Sequence, residues 1–136
     1  MNTCNIITFG TFDLLHIGHI NILKQAKNNF SESVESKLIV GISTDIFSFN
    51  KKQRYPIYNQ EQRKIILESL RFVDEVFFEE SLDLKREYIE QYKADILIMG
   101  DDWEGKFDYL NDICKVVYLP RTPSISTTEI IELINK

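Results

Sequence analysis

The sequence predicts a three-layer α/β fold built on a five-stranded parallel sheet, and three observations lead there. Five short β-branched or apolar runs stand out, at 5–9, 38–42, 75–78, 96–99 and 116–119. Stretches with helical period follow them at 17–28, 60–72, 84–92, 109–114 and 127–134. The runs are near-continuously apolar, the pattern of strands covered on both faces, and a parallel crossover needs a helix and is right-handed. Together these define a Rossmann-like α/β arrangement.

Taken in order, the first run ends at Gly10, and the helix after it carries apolar Ile20, Ile22, Leu23 and Ala26 on one side. A polar stretch at 30–36 reads as a lengthened surface loop before the second strand. Asn59 with Gln62, three residues on, is a cap for the helix at 60–72. Ser126 with Glu129 is the same device for the last helix.

The chain has 136 residues, and no Pro/Gly/Ser-rich stretch divides it, so a single domain spanning 1–136 is expected. At this length about two thirds of the unfolded surface is buried, so 43% apolar composition builds a core without staples. Cys4 and Cys114 lack a C-x-x-C spacing and read as two reduced thiols. Residues 1–9 have neither a basic head nor a long apolar stretch, and no run approaches a membrane span, so a cytoplasmic, membrane-free protein is expected. A net charge of −5 argues against nucleic acid as a partner while leaving local basic clusters free to hold a small anion.

In a parallel α/β sheet, ligands bind beyond the carboxyl ends of the strands, where strand order reverses. The segments that follow the runs hold nearly all the unusual chemistry. After the first comes Gly10-Thr11-Phe12-Asp13-Leu14-Leu15-His16-Ile17-Gly18-His19. Two histidines three residues apart share one side of a helix start, beside free backbone N–H groups and the positive end of the helix dipole. That combination suits a polyphosphate. Gly10 is read as letting the backbone approach phosphates, and Gly18 as clearing the space between the two rings.

After the second run, Lys51, Lys52 and Arg54 lead to Arg63 on the next helix. After the fourth comes Gly100-Asp101-Asp102-Trp103-Glu104-Gly105-Lys106-Phe107-Asp108, whose carboxylates suit ribose hydroxyls or a metal and whose tryptophan suits a pocket wall. Arg121-Thr122-Pro123-Ser124-Ile125-Ser126-Thr127-Thr128 opens the last helix with a guanidinium and several hydroxyls, a second anion site.

The segment 10–19 resembles the G-T-F-D-x-x-H-x-G-H signature of the cytidylyltransferase branch of the nucleotidylyltransferase superfamily. Segment 121–128 resembles that family's R-T-x-G-I-S-T-T, with Ser124 where the glycine is usual. Class I aminoacyl-tRNA synthetases share the H-x-G-H core, but this chain has no Lys-Met-Ser-Lys-Ser and no room for a tRNA-binding domain. Segment 100–108 resembles the corresponding loop of glycerol-3-phosphate cytidylyltransferases.

The resemblance implies cytidylyl transfer from CTP to a small phosphorylated alcohol, glycerol 3-phosphate first, with release of pyrophosphate. It implies catalytic roles for His16, His19, Arg121 and Thr127, and nucleotide contacts from Gly10, Thr11, Phe12, Arg63, Asp101, Thr122 and Ser126. Acceptor contacts fall to Lys51, Lys52, Arg63, Asp74 and Trp103. It further implies Mg2+ carried on the CTP phosphates with no metal-ligand set of the protein's own, a homodimer, and a product used for teichoic acid or capsular polysaccharide. Rival readings are another phosphorylated acceptor, an ATP-dependent adenylyl transfer, and a nucleotide-binding module without catalysis.

Overall fold

The computed structural model of the chain describes residues 3–30, 35–123 and 125–135. Strands β1 (Thr3–Gly10), β2 (Glu35–Ser43), β3 (Glu75–Glu79), β4 (Ile96–Gly100) and β5 (Lys115–Leu119) form one sheet in the order β3-β2-β1-β4-β5, every pair parallel. The helices are α1 (Ile17–Asn28), α2 (Asp45–Lys52), α3 (Gln60–Glu68), α4 (Lys85–Gln91) and α5 (Thr127–Ile134). The α/β class and the five parallel strands are as the sequence predicts.

Side chains alternate across the sheet and divide the core into two layers. Ile6, Leu38, Val40, Ile42, Ile96 and Ile98 pack on one face with Leu23 and Ala26 of α1 and Leu67 of α3. Ile7, Phe9, Ile39, Leu97 and Met99 pack on the other with Ile89 of α4, Phe107 and Leu110. Each fully buried Ile or Leu contributes about 1.5–3 kcal/mol, so these two layers are the main stabilising term. Gly41 makes the second layer possible, because a Cβ there would lie 2.7 Å from both Phe77 and Phe9.

Three elements differ from expectation. Helix α3 stops at Glu68, eight residues short of β3's second residue, and 69–74 form a turn that buries Val73. The stretch 109–114 is a 3-10 turn (Asp108–Leu110) and further turns, tied down by Arg86 to Asp112 at 2.9 and 3.1 Å. Helix α2 carries Lys51 and Lys52 in a stretch for which the residue pattern predicts no helix. Thr44 caps it by accepting from the Phe47 amide at 3.1 Å, Asp45 occupies the first turn and Lys51 and Lys52 the last, which complements the dipole at both ends. The 30–36 stretch falls largely on residues 31–34, outside the described residues, as does Ser124.

Strand order reverses between β1 and β4, so their carboxyl ends flank the crevice that this topology opens. Gly10, Glu79 and Gly100, the last residues of β1, β3 and β4, all line a cavity of about 510 Å³ there.

Candidate active site

The loop from β1 to α1 is the most constrained backbone in the site. Phe12 and Leu14 hold φ values of 53° and 50°, left-handed conformations uncommon for such side chains. Asp13 between them holds the shape. Its carboxylate accepts from the Ile57 and Tyr58 amides at 2.6 and 3.0 Å, and its carbonyl accepts from Thr127 Oγ1 at 2.8 Å. One aspartate therefore joins the β1 exit, the 53–59 loop and the start of α5.

At the α1 N-terminus the two histidines cap the helix reciprocally. Gly18 donates its N–H to His16 Nδ1 at 3.0 Å, and His16 donates its own to His19 Nδ1 at 3.2 Å. With Nδ1 an acceptor in both rings, each neutral imidazole carries its proton on Nε2. The rings stack at a centroid distance of 3.8 Å. Burial lowers the His19 pKa to about 3, helped by the charges of His16 and Lys52, and burial with Arg121's charge also lowers that of His16. Both rings are thus neutral hydrogen-bond donors near pH 7.

Each of the two glycines makes room for an aromatic ring. A Cβ on Gly18 would lie 2.9 Å from His16 Cε1, so the glycine makes room for the His16 ring itself. A Cβ on Gly10 would lie 2.9 Å from the Phe12 ring, so that position admits an aromatic lid.

Of the expected site residues, Gly10, Thr11, Phe12, His19, Lys51, Lys52 and Trp103 line the one cavity. Lys51 and Lys52 both reach it from the last turn of α2. Lys51 Nζ donates to Ser43 Oγ at 2.8 Å and lies 4.4 Å from the Phe47 ring centroid, and burial lowers its pKa to about 8 against the opposing pull of Glu79. Arg121 reaches toward the GDDW turn, 3.6 Å from Asp102 Oδ2. Thr122 accepts from Asn21 Nδ2 at 2.9 Å, which fixes the 121–123 segment onto α1. Ser126 accepts from the Glu129 amide at 3.1 Å, the forward half of the expected cap.

Four assignments change. Arg63 does not reach the cavity: its side chain is wholly buried, and it donates to the carbonyls of Tyr58, Thr11 and Ser43, each at 2.9 Å, and to Asp45 at 2.7 Å. Its guanidinium is consumed in holding the exits of β1 and β2 together, so it positions the site without facing a substrate. Asp74 precedes β3, at the opposite end of the strand from the cavity, where it accepts from Lys27 at 2.6 Å and the Leu38 amide at 2.7 Å. Asp101 is exposed and off the cavity wall, whereas its neighbour Asp102 lines it. The Thr127 hydroxyl is likewise engaged by Asp13, leaving that residue's backbone N–H at the helix start to face an anion.

Two further residues line the site without a role assigned from sequence, although Glu79 falls in a segment at the ligand-binding edge of the sheet. Glu79 and Lys85 line the cavity as a directly hydrogen-bonded ion pair, with Lys85 Nζ 4.0 Å from the centroid of the Phe9 ring. The only sequence signal was their place: one ends a strand at the ligand-binding edge, and the other opens the next helix.

A Rossmann-like sheet with an H-x-G-H helix start, a guanidinium close enough to act on His16 and two lysines on the cavity wall suits a phosphate-bearing nucleotide. A cytidylyltransferase-like family model matches residues 7–133, and the chain belongs to that family. It is 51% identical over 127 residues to the glycerol-3-phosphate cytidylyltransferase of Bacillus subtilis (strain 168), covering 93% of this chain and 94% of that protein. The enzyme of the same name from Staphylococcus aureus (strain NCTC 8325 / PS 47) is 46% identical, covering 92% and 90%. An FAD synthase of Thermococcus sibiricus is more distant, 30% identical with 95% and 90% covered. Among solved structures, a lipopolysaccharide core biosynthesis protein from Thermoplasma volcanium superposes with a TM-score of 0.70 at 23% identity, over 88% of this chain and 98% of that one, a likeness of fold.

Proposed function

We propose that this chain transfers the cytidylyl group of CTP to sn-glycerol 3-phosphate, giving CDP-glycerol and pyrophosphate. The carrying observation is that His19, Lys51 and Lys52 border one cavity, so two phosphorylated substrates can meet there. The choice of CTP and glycerol phosphate among possible pairs is supported by the 46–51% identity to enzymes bearing that name.

A phosphate oxygen of the acceptor attacks the α-phosphorus of CTP, the bond from that phosphorus to the β-phosphate oxygen breaks, and pyrophosphate leaves with the electron pair. The attacking group is already an anion, so no side chain needs to take its proton. The protein must hold two repelling anions in line and neutralise charge as it grows. His16 and His19 do so as Nε2–H donors at the reacting phosphate, Arg121 and the Thr127 amide close the opposite side, and Lys51 and Lys52 hold the acceptor. Trp103 forms the outer wall.

Mg2+ would arrive with the nucleotide and would supply positive charge that offsets that of its phosphates. Among the described residues no three His, Cys, Asp or Glu side chains converge. A homodimer is supported by the apolar groove of Tyr58, Ile65 and Ile66, with Ile65 62% and the adjacent Ile57 59% exposed. A cytoplasmic location follows from the need for CTP, and among the described residues no helix is long and apolar enough to cross a membrane. The product would supply a glycerol-phosphate polymer such as teichoic acid or a capsular polysaccharide.

The test is pyrophosphate release with CTP or ATP against a panel of phosphorylated acceptors, including both enantiomers of glycerol phosphate and amino-alcohol phosphates. Highest kcat/KM for CTP with sn-glycerol 3-phosphate is expected. A better acceptor of another class, or preference for ATP, overturns the assignment.

A further inference from the structure

The turn that follows β4 is hydrogen-bonded to the sheet through one hydroxyl. Its own backbone bonds are local, Glu104 donating to the Asp101 carbonyl at 3.0 Å, Lys106 to that of Trp103 at 2.9 Å and Leu110 to that of Phe107 at 3.0 Å. Among the described residues, the hydrogen bonds that tie 102–108 to a strand or helix both end on Tyr118 of β5. The Tyr118 hydroxyl accepts from the Phe107 amide at 2.9 Å and donates to Asp108 Oδ1 at 2.9 Å. Arg121 adds only the longer ion pair to Asp102, at 3.6 Å.

Those two bonds bear on the cavity through a pair of rings. Phe107 is 4% exposed and its ring centroid lies 5.4 Å from that of Trp103, so the backbone that Tyr118 holds carries the surface on which Trp103 rests. Trp103 is half-buried and lines the cavity, whereas Tyr118 does not. A tyrosine on an edge strand can bury its ring and leave its hydroxyl to water. Here the hydroxyl is given to a donor and an acceptor of one turn, and the acceptor is a carboxylate, which forms the stronger kind of hydrogen bond.

We propose that Tyr118 is a positioning residue for the active site: its hydroxyl sets the backbone of Phe107, and Phe107 sets the Trp103 ring against the substrates. The inference rests on the cytidylyl-transfer reading and adds what holds the outer wall of the cavity in its binding arrangement. Without the hydroxyl the turn occupies that arrangement for part of the time, so apparent affinity falls by that fraction while the bound complex stays the same. KM should rise and kcat should hold.

The experiment compares the unaltered protein with Tyr118→Phe, which keeps the ring and removes only the hydroxyl, in two readouts. Trp103 is the one tryptophan of the chain, so acrylamide quenching of its fluorescence reports on this turn with no substrate present. Tyr118→Phe should raise the quenching constant about twofold or more and raise KM for CTP, for sn-glycerol 3-phosphate or for both about fivefold, with kcat changed by less than about twofold. Added to Trp103→Ala, the same substitution should raise KM no further, because the two act through one contact. Asp108→Ala, at an exposed position, removes the carboxylate partner alone and should move both readouts the same way by less, which keeps the test decisive if Tyr118→Phe does not fold. Unchanged quenching, a loss confined to kcat, or a KM effect that persists in full on Trp103→Ala overturns the proposal while the activity stands. No turnover of CTP with any acceptor overturns both.

Discussion

His16 illustrates how much of this site depends on single hydrogen bonds. Its Nδ1 is committed to the Gly18 amide, so Nε2–H remains for the substrate, and replacement removes one preorganised donor. His16→Ala should therefore lower kcat by about 10²-fold or more with the fold intact by circular dichroism. Unchanged turnover in a folded variant would contradict the donor role. Lys51 makes a different prediction, because its pKa of about 8 lies within the assay range. The lysine is charged below that value and loses its proton above it. In the free protein, kcat/KM for the acceptor should fall as pH rises past about 8, and Lys51→Met should abolish that limb along with most acceptor affinity. A profile measured from pH 6.5 to 9.5 checks it.

At the scale of elements, the active surface is assembled from four segments that would otherwise be independent, and two buried side chains join them. Asp13 ties the β1 exit to the 53–59 loop and to α5, and Arg63 ties β1 to β2 and α2. A lysine keeps the Arg63 charge but not its planar fork, so it cannot serve three carbonyls and Asp45 together. Arg63→Lys should cost roughly 3 kcal/mol or more in denaturant-induced unfolding and reduce kcat without preferentially raising either substrate's KM. A selective rise in one KM with unchanged stability would show that this guanidinium faces a substrate after all.

Over the whole molecule, the sheet, its order of strands and helices, and the motif-bearing segments were legible from the sequence, because continuous apolar runs and helix caps are local signals. Helix α1 and helix α5 begin and end where the pattern of residues places them. Helix α2 was not legible, since its 8 residues mix Ile46, Phe47 and Phe49 with two lysines and give no clean face. Nor were the partners of Arg63 and Thr127, because a side chain that satisfies backbone carbonyls from distant loops looks the same in sequence as one that meets a phosphate. Asp74 was misplaced for a related reason: its neighbours lead into β3, yet position before a strand puts it at the amino end, away from the ligands. Glu79 and Lys85 became visible only when the fold brought them together against Phe9.

On the proposed function, two phosphorylated substrates are joined at the cavity beyond β1 and β4. Phosphorus NMR of the chain with CTP, sn-glycerol 3-phosphate and Mg2+ tests it most directly. The triphosphate and monoester signals should decline together while pyrophosphate and a new diphosphate diester grow in equal amounts. Loss of CTP without the diester, or no change in any signal, would contradict it.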